Sequence, residues 1–289
     1  PFNYRIMAGI GDNTSKVTKY DNPNRTLTDP YEGQQLGEIW GYVVDGYFKT
    51  DEEARNYKVD QSFVNQMINA SALDNGLHAG DLKFVDLDGN NKIEQTTSAN
   101  DRKDMKVIGN SLPRYNYNFG ISADWYGIDF SVLFQGIGKQ NWYPGAETSM
   151  FWGPYSRPYA SFIPSDFMSQ VWSEENTNAY FPRPRGYVAL GSNRELAVVN
   201  TKYLQNLAYC RLKNLSIGYT LPDKWLSKIG FEKIRVYFSG ENLLTFTKLH
   251  SDYIDPEQAS ASNSWKTSKS DANIYPWAKT YSFGVDITF

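Results

Sequence analysis

Period-two alternation is the feature that most constrains this chain. A β-strand sends successive side chains to opposite faces, and a helix cannot reproduce that pattern. Near the end of the chain, Tyr281, Phe283, Val285, Ile287 and Phe289 fall on one face, against Ser282, Gly284, Asp286 and Thr288 on the other. Tyr115, Tyr117, Phe119, Ile121 and Ala123 alternate with Asn116, Asn118, Gly120, Ser122 and Asp124. Ile128, Phe130, Val132 and Phe134 alternate with Asp129, Ser131 and Gln135. Leu215, Ile217, Tyr219 and Leu221 oppose Asn214, Ser216, Gly218 and Thr220. Ile234, Val236, Phe238, Leu244 and Phe246 oppose Arg235, Ser239, Glu241 and Thr245, and Phe2, Tyr4, Ile6, Ala8 and Ile10 repeat the pattern at the start.

Two architectures satisfy such alternation. A soluble antiparallel sandwich puts one face in a core and the other in water. A transmembrane barrel puts one face in hydrocarbon and the other in a polar lumen. Three features favour the barrel. The second faces carry Gly, Ser, Asn and single charges rather than long solubilising side chains. Connections alternate between short and very long. Aromatic residues flank the apolar stretches, as interfacial girdles do. The fold class expected is therefore all-β, an antiparallel transmembrane β-barrel segment with long extracellular loops, spanning residues 1–289 as one unit.

Composition removes other classes. The net charge is −3, from 29 Lys plus Arg and 32 Asp plus Glu, which gives nucleic acid no basic surface to bind. No run approaches the roughly 18 apolar residues of a membrane-spanning helix. Aromatic residues make up 16% of the chain, too many large rings to leave in a disordered segment. One cysteine, Cys210, and two histidines, His78 and His250, leave no disulfide framework and no Cys- or His-rich metal site. Pro1-Phe2-Asn3-Tyr4 runs straight into an alternating stretch, so the chain is expected to be a piece of a longer polypeptide.

Connection lengths orient the strands. Tyr126-Gly127 joins strand 115–125 to strand 128–136, and a short link after Pro222 joins strand 204–221 to strand 232–247. Long segments occupy about 137–203 and 248–278, before a last strand at 279–289. Outer-membrane barrels keep their short turns periplasmic and their long loops extracellular, which puts Phe289 on the periplasmic side. Counting back from Leu221, Arg211 and Lys213 fall on the outward phase near the outer interface; a β-bulge near Asn214 would instead turn them inward. Residues 37–48 read as one further strand, and Asp51-Glu52-Glu53-Ala54 opens a helix-like stretch to about Ile68.

Two segments could carry chemistry. Asp86-Leu87-Asp88-Gly89-Asn90-Asn91-Lys92-Ile93 has the spacing of a calcium loop, with Asp86, Asp88, Asn90 and the backbone carbonyl of Lys92 as oxygen ligands. Asn91 stands where Gly makes the usual sharp turn. Thr97 stands where the acidic ligand at the twelfth position belongs, and Asp101 or Asp104 could supply it across an insertion. The alternative is an Asx-rich turn with no ion. The second segment, 142–162, is aromatic: Trp142, Tyr143, Phe151, Trp152, Tyr155 and Tyr159 are candidates for contacting a sugar, a peptide or a partner protein, against the alternative of a self-packed loop core. No nucleophile–base motif or phosphate loop is present, and Glu174, Glu175, Asp252, Asp255 and Glu257 read as solvated loop charge, so no enzymatic activity is expected.

Several blocks carry a family resemblance. Thr201-Lys202-Tyr203-Leu204-Gln205-Asn206-Leu207-Ala208-Tyr209-Cys210-Arg211-Leu212-Lys213-Asn214-Leu215-Ser216-Ile217-Gly218-Tyr219-Thr220-Leu221-Pro222 resembles the "YLRLKNLTLGYTLP" signature of SusC/RagA-type TonB-linked outer-membrane transporters. The glycine–tyrosine block from Gly33 to Phe48 is similar to the family's. So are Gly80–Asp86, running through the acidic loop to Val107-Ile108-Gly109-Asn110, and Phe134-Gln135-Gly136, Trp172–Asn176, Gly240–Thr247 and Ile254-Asp255-Pro256-Glu257, all in family order. The resemblance implies the C-terminal part of a barrel of about 22 strands, in the Gram-negative outer membrane, whose plug and TonB-contacting region lie outside this chain. It implies TonB-driven import of oligosaccharides or peptides beneath a SusD-like surface lipoprotein; no cofactor is required, and the acidic loop, which departs most from the family pattern, leaves room for a structural Ca2+ in the extracellular loop. Tyr281, Phe283 and Phe289 look like the terminal signal read by the barrel-assembly machinery.

Overall fold

The structure is a computed structural model and describes residues 2–64, 76–156, 163–184, 186–191, 194–226, 230–259, 269–270 and 275–289. Six long strands form one sheet: β1 Phe2–Gly11, β2 Arg114–Trp125, β3 Ile128–Lys139, β4 Tyr209–Thr220, β5 Lys233–Thr247 and β6 Thr280–Thr288. Each pairs antiparallel with the next in chain order, so the sheet is a simple meander. Among the described residues it is an open sheet, with β1 and β6 as its edges.

The connections sort by length to opposite ends. Tyr126 and Gly127 join β2 to β3 with φ of 47° and 85°, the positive values that let a two-residue turn follow the twist of its strands. At the same end, β4 passes to β5 through a helical turn, Asp223–Leu226. The three long connections, 12–113, 140–208 and 248–279, all emerge at the other end.

The register confirms the alternation strand by strand. Tyr4, Ala123, Phe130, Ile217, Phe238 and Phe283 form one cross-sheet row. Nothing among the described residues covers that face: Ile6 is 66% exposed, Ile217 44% and Phe283 83%. The next row, on the opposite face, is Arg5, Ser122, Ser131, Ser216, Ser239 and Ser282. Leaving a Phe or Ile in water forfeits roughly 1.5–3 kcal/mol. Over this face the loss is on the order of 20 kcal/mol, more than the ~5–15 kcal/mol by which a domain is stable. The face is thus built for a non-aqueous neighbour. Trp125, Tyr126 and Trp225 at the short-turn end, and Tyr115 and Trp277 at the other, are exposed where interfacial aromatics belong.

The buried core lies elsewhere. It is assembled from the long connections, where Tyr42, Phe84, Trp142, Trp152, Phe181 and Tyr203 are all within one cluster. Short pairings knit it: Glu38–Tyr42 with Met105–Asn110, Val44–Tyr47 with Leu82–Phe84, and Asn141–Trp142 with Gln205–Asn206. The sequence-based boundaries shift accordingly. Residues 37–48 form two short strands instead of one, because each finds a different partner. Gln205–Asn206 pair with the loop core, so β4 begins at Tyr209. The helix from Asp51 ends at Arg55, capped by Thr50, whose hydroxyl accepts from Glu53 N–H at 3.1 Å. Residues 57–64 are not helical, and 65–68 lie outside the described residues.

One sequence-based phase is overturned. The pairing of β4 with both neighbours shifts between Leu212 and Asn214, leaving Lys213 as a bulge. Against β3 the extra residue is on β4, against β5 it is on β5, where Asn242 and Leu243 stand opposite Lys213, and the outward phase of β4 passes from Leu215 to Leu212. Arg211 and Lys213 are therefore not on the outward face; Arg211 is buried against Asp255 and Glu257.

Candidate functional site

The polar face of the sheet is built around a charged bridge near the short-turn end. Arg235 on β5 reaches across β4 to Asp129 on β3, with Nε to Oδ1 at 2.8 Å and Nη2 to Oδ2 at 2.6 Å, and its Nη1 donates to Asp286 on β6 at 3.1 Å. The reach is open because β4 carries Gly218 between them. A Cβ at that position would stand 2.5 Å from Asp129 Oδ1 and 2.6 Å from Arg235 Nη2. Gly284 makes the same kind of room for the Tyr237 ring. One cation thus ties three strands, across a fourth, on the side away from the apolar face.

A second cluster sits at the long-connection end. Arg211 donates through Nη2 to Asp255 Oδ1 and through Nη1 to Glu257 Oε2, both at 2.6 Å, and through Nε to Thr245 at 2.9 Å. Lys213 Nζ donates to both oxygens of Glu257 at 2.9 Å. Asp255 and Glu257 are therefore not solvated loop charge. Removing one member of such a buried pair costs about 3–5 kcal/mol, because the partner is left desolvated.

The aromatic candidates fall into the loop core. Trp142, Tyr143, Phe151, Trp152 and Tyr155 are each no more than 2% exposed. Their polar tips are satisfied inside: Tyr143 OH donates to Leu196 O at 2.9 Å, Trp152 Nε1 to Gly145 O at 2.9 Å and Tyr155 OH to Pro182 O at 2.6 Å. Their faces meet other rings, with Phe151 edge-on to Trp152 at 4.8 Å and Tyr155 stacked on Phe181 at 5.8 Å. The expectation that these five rings meet a ligand or a partner protein is corrected; they hold the loops together. Tyr159 lies outside the described residues. Sequence reasoning gave no weight to a cleft of about 1030 Å3 where Lys49–Asp51 and His78 face Trp172, Glu174, Glu175 and Arg183, charges of both signs around an apolar floor.

The acidic loop closes on its own backbone, a geometry shared by a calcium loop and an ion-free Asx-rich turn. Asp86 accepts from Gly89 N–H and Asn91 N–H, both at 2.7 Å, and Asn91 takes the left-handed turn with φ of 62°. Asp104, rather than Asp101, returns to the loop: one carboxylate oxygen from each of Asp86, Asp88 and Asp104 lies within 4.8 Å of the others. Asn90 donates its amide N–H to Asp88 at 3.2 Å and accepts from Lys92 N–H at 2.8 Å through Oδ1, while Lys92 sits in a bridge with Asp60. Burial raises the affinity of Asp104 for its proton, and the charges of Asp88 and Asp86 add to this against the backbone N–H groups of Glu94 and Leu87. At the other end of the chain, Tyr281, Phe283 and Phe289 are all exposed, and Phe289 touches Phe231 at a ring distance of 5.3 Å.

No family model matches the chain. Among curated proteins it is similar to three receptors of Formosa agariphila. It is 29% identical to TonB-dependent receptor P3 over 264 residues, 89% of this chain and 22% of that protein. It is 26% identical to TonB-dependent receptor P39 over 283 residues, 89% of this chain and 25% of that one. It is also 26% identical to TonB-dependent receptor P26 over 227 residues, 77% and 21%. The chain thus spans about a quarter or less of the curated relatives it matches. Among solved structures, the RagAB peptide importer in its open-open state matches with a TM-score of 0.63 at 19% identity, covering all of this chain and 27% of the other. A second structure, of the RagAB peptide transporter, gives 0.60 at 19%, again over all of this chain and 27% of the other. The chain thus shares its antiparallel meander with these solved structures, and most of its length is similar to proteins named TonB-dependent receptors.

Proposed function

We propose that this chain is the C-terminal barrel portion of a TonB-dependent nutrient importer of the Gram-negative outer membrane. The observation that carries the proposal is the uncovered apolar face running across all six strands, backed by a polar face. In this reading the apolar face meets lipid and the serine row lines the lumen. The long connections are extracellular, and Phe289 is periplasmic, where the assembly machinery engages it together with Tyr281 and Phe283. The cargo is an oligosaccharide or a peptide, captured with a SusD-like lipoprotein; the solved neighbours are described as a peptide importer. TonB acts through regions outside these residues. A soluble glycan-binding sandwich would need a second layer over the apolar face, and none is present among the described residues.

The test is made on the parent protein. It is expected in the outer-membrane fraction, insoluble without detergent, and its cargo uptake is expected to stop when the proton gradient is dissipated. Recovery in the soluble fraction would return the sandwich reading, and uptake that persists without the gradient would make the protein a passive porin.

The acidic loop is proposed to hold a structural Ca2+ through Asp86, Asp88 and Asp104, whose hard oxygens suit that ion. With a Kd of ~0.1–1 mM, ordinary for extracellular modules, 10 mM Ca2+ stabilises the loop by about 1–3 kcal/mol. Without the ion, the raised pKa of Asp104 stabilises the loop below the ordinary carboxylate pKa, and this stability is lost as pH rises through the raised value. With the ion the trend reverses, since the proton and the cation compete. Equal melting temperatures in calcium and in chelator, for both the wild type and Asp104→Asn, would remove the ion from the account.

A further inference from the structure

The bulge in β4 gives the cluster around Arg211 a second role. Asp255 does not bind Arg211 alone: its Oδ1 also accepts from Glu257 N–H at 2.9 Å and its Oδ2 from Trp277 N–H at 3.1 Å. Lys213 lies 5.5 Å over the Trp277 ring, and Arg211 lies 5.6 Å from the centre of the Tyr209 ring. Two separate stretches of the last long connection, 255–257 and the region of Trp277, therefore converge on two cations of one strand. Both cations are on the polar face only because the chain gains a residue at Lys213. Beyond the cluster, Ile254 and Ala259 are buried in the loop core. The segment between them is thus held from the wall on one side and from the loop body on the other.

We infer that Arg211 and Lys213 form a latch that straps residues 254–259 across the extracellular mouth of the lumen. This rests on the barrel reading above. The latch is made of charge pairs rather than interlocking apolar side chains, so it can release as a unit. A lost carboxylate leaves a desolvated guanidinium that favours the open arrangement. Arg211 is then a positioning residue: it touches no cargo, and it sets where the strap lies.

The test uses the full-length parent in intact cells, with Cys210→Ser as background and Ala259→Cys as reporter. Ala259 is 2% exposed, so a membrane-impermeant maleimide is expected to label the reporter slowly. Arg211→Gln is expected to speed labelling by about tenfold or more, as loss of a buried charge partner shifts local opening. Lys213→Met and Glu257→Gln are each expected to speed it, and the two together by less than the product of the separate effects, the coupling that two independent contributions to folding would not show. Labelling that is equally slow in Arg211→Gln would show the strap to be held by Ile254 and its apolar neighbours, and would overturn the latch. So would effects of the Lys213 and Glu257 variants that simply multiply. Should Arg211→Gln fail to reach the membrane, the part-exposed Lys213–Glu257 pair still decides. An exposed control, Asp252→Cys, separates the two readings. If neither it nor the parent is found at the cell surface, the barrel reading has failed; if it labels and the reporter rates do not differ, only the latch has.

Discussion

Expressed with an export signal but without its parent's other strands, this chain is expected to yield no folded, membrane-inserted monomer. The reason lies in its edges. On β1, Phe2–Gly11 pair on one side only, and so do Thr280–Thr288 on β6. Every second residue along each edge then presents an N–H and a C=O without a partner. In hydrocarbon, each unsatisfied group costs several kcal/mol. Two edges of this length cost tens of kcal/mol, well beyond the ~5–15 kcal/mol that holds a domain together. The apolar face makes the alternative no better, since in water it forfeits a comparable sum. The chain is thus expected as aggregate or as degradation product. Protease protection and a boiling-dependent shift on denaturing gels report insertion, and a heat-modifiable monomer of these residues alone would overturn the argument.

How much of this was legible in the sequence depends on the range of the interaction concerned. The strands were legible because period-two alternation is local: Phe283 and Ser282 declare opposite faces with no knowledge of their partners. The bulge at Lys213 was not. A bulge is a mismatch between strands, and only the pairing with β3 and β5 shows that Leu212 follows Leu215 on the same face. Alternation on β5 gave no signal, since its outward residues Phe238 and Leu244 keep one parity across the irregularity at Asn242, whose φ is 53°. The Arg235 bridge was half legible: Asp129, Arg235 and Asp286 each stood out as lone charges on the inward phase, but their meeting depends on the gap at Gly218.

The loop rings were illegible for a different reason. Trp142 and Trp152 read alike whether they face water or one another, because no periodicity governs a loop. What buries them is a set of partners far away in sequence, such as Tyr203 at 5.2 Å from Trp152. The acidic loop lies between these cases. Its turn is local, and Asn91 takes the positive φ there at the position where Gly usually stands, whereas the approach of Asp104 rather than Asp101 depends on packing across an insertion. Local rules therefore carried the wall, and long-range packing decided everything the wall presents at its long-connection end.

The second large effect tests what lies against the wall. Ile217 sits inside the apolar band, between Phe130 and Phe238, while Ser216 occupies the next row on the opposite face. In the parent protein, Ile217→Arg is expected to cost ~2–4 kcal/mol, the depth-dependent penalty for a cation on the lipid face of a barrel. Ser216→Arg, one residue away, should cost under about 1 kcal/mol, because on the proposed barrel its side chain would extend into a hydrated lumen. This contrast alone would also suit a soluble core, so a third substitution is needed. Ile217→Trp adds bulk without charge. A protein interior is close-packed, and such overpacking costs about 1–3 kcal/mol. Lipid chains rearrange around an added ring, so on a barrel wall the same change should be nearly neutral. Reversible unfolding of the three variants in bilayers gives all three values. A penalty for Ile217→Trp as large as that for Ile217→Arg would mean that protein, rather than hydrocarbon, covers this face.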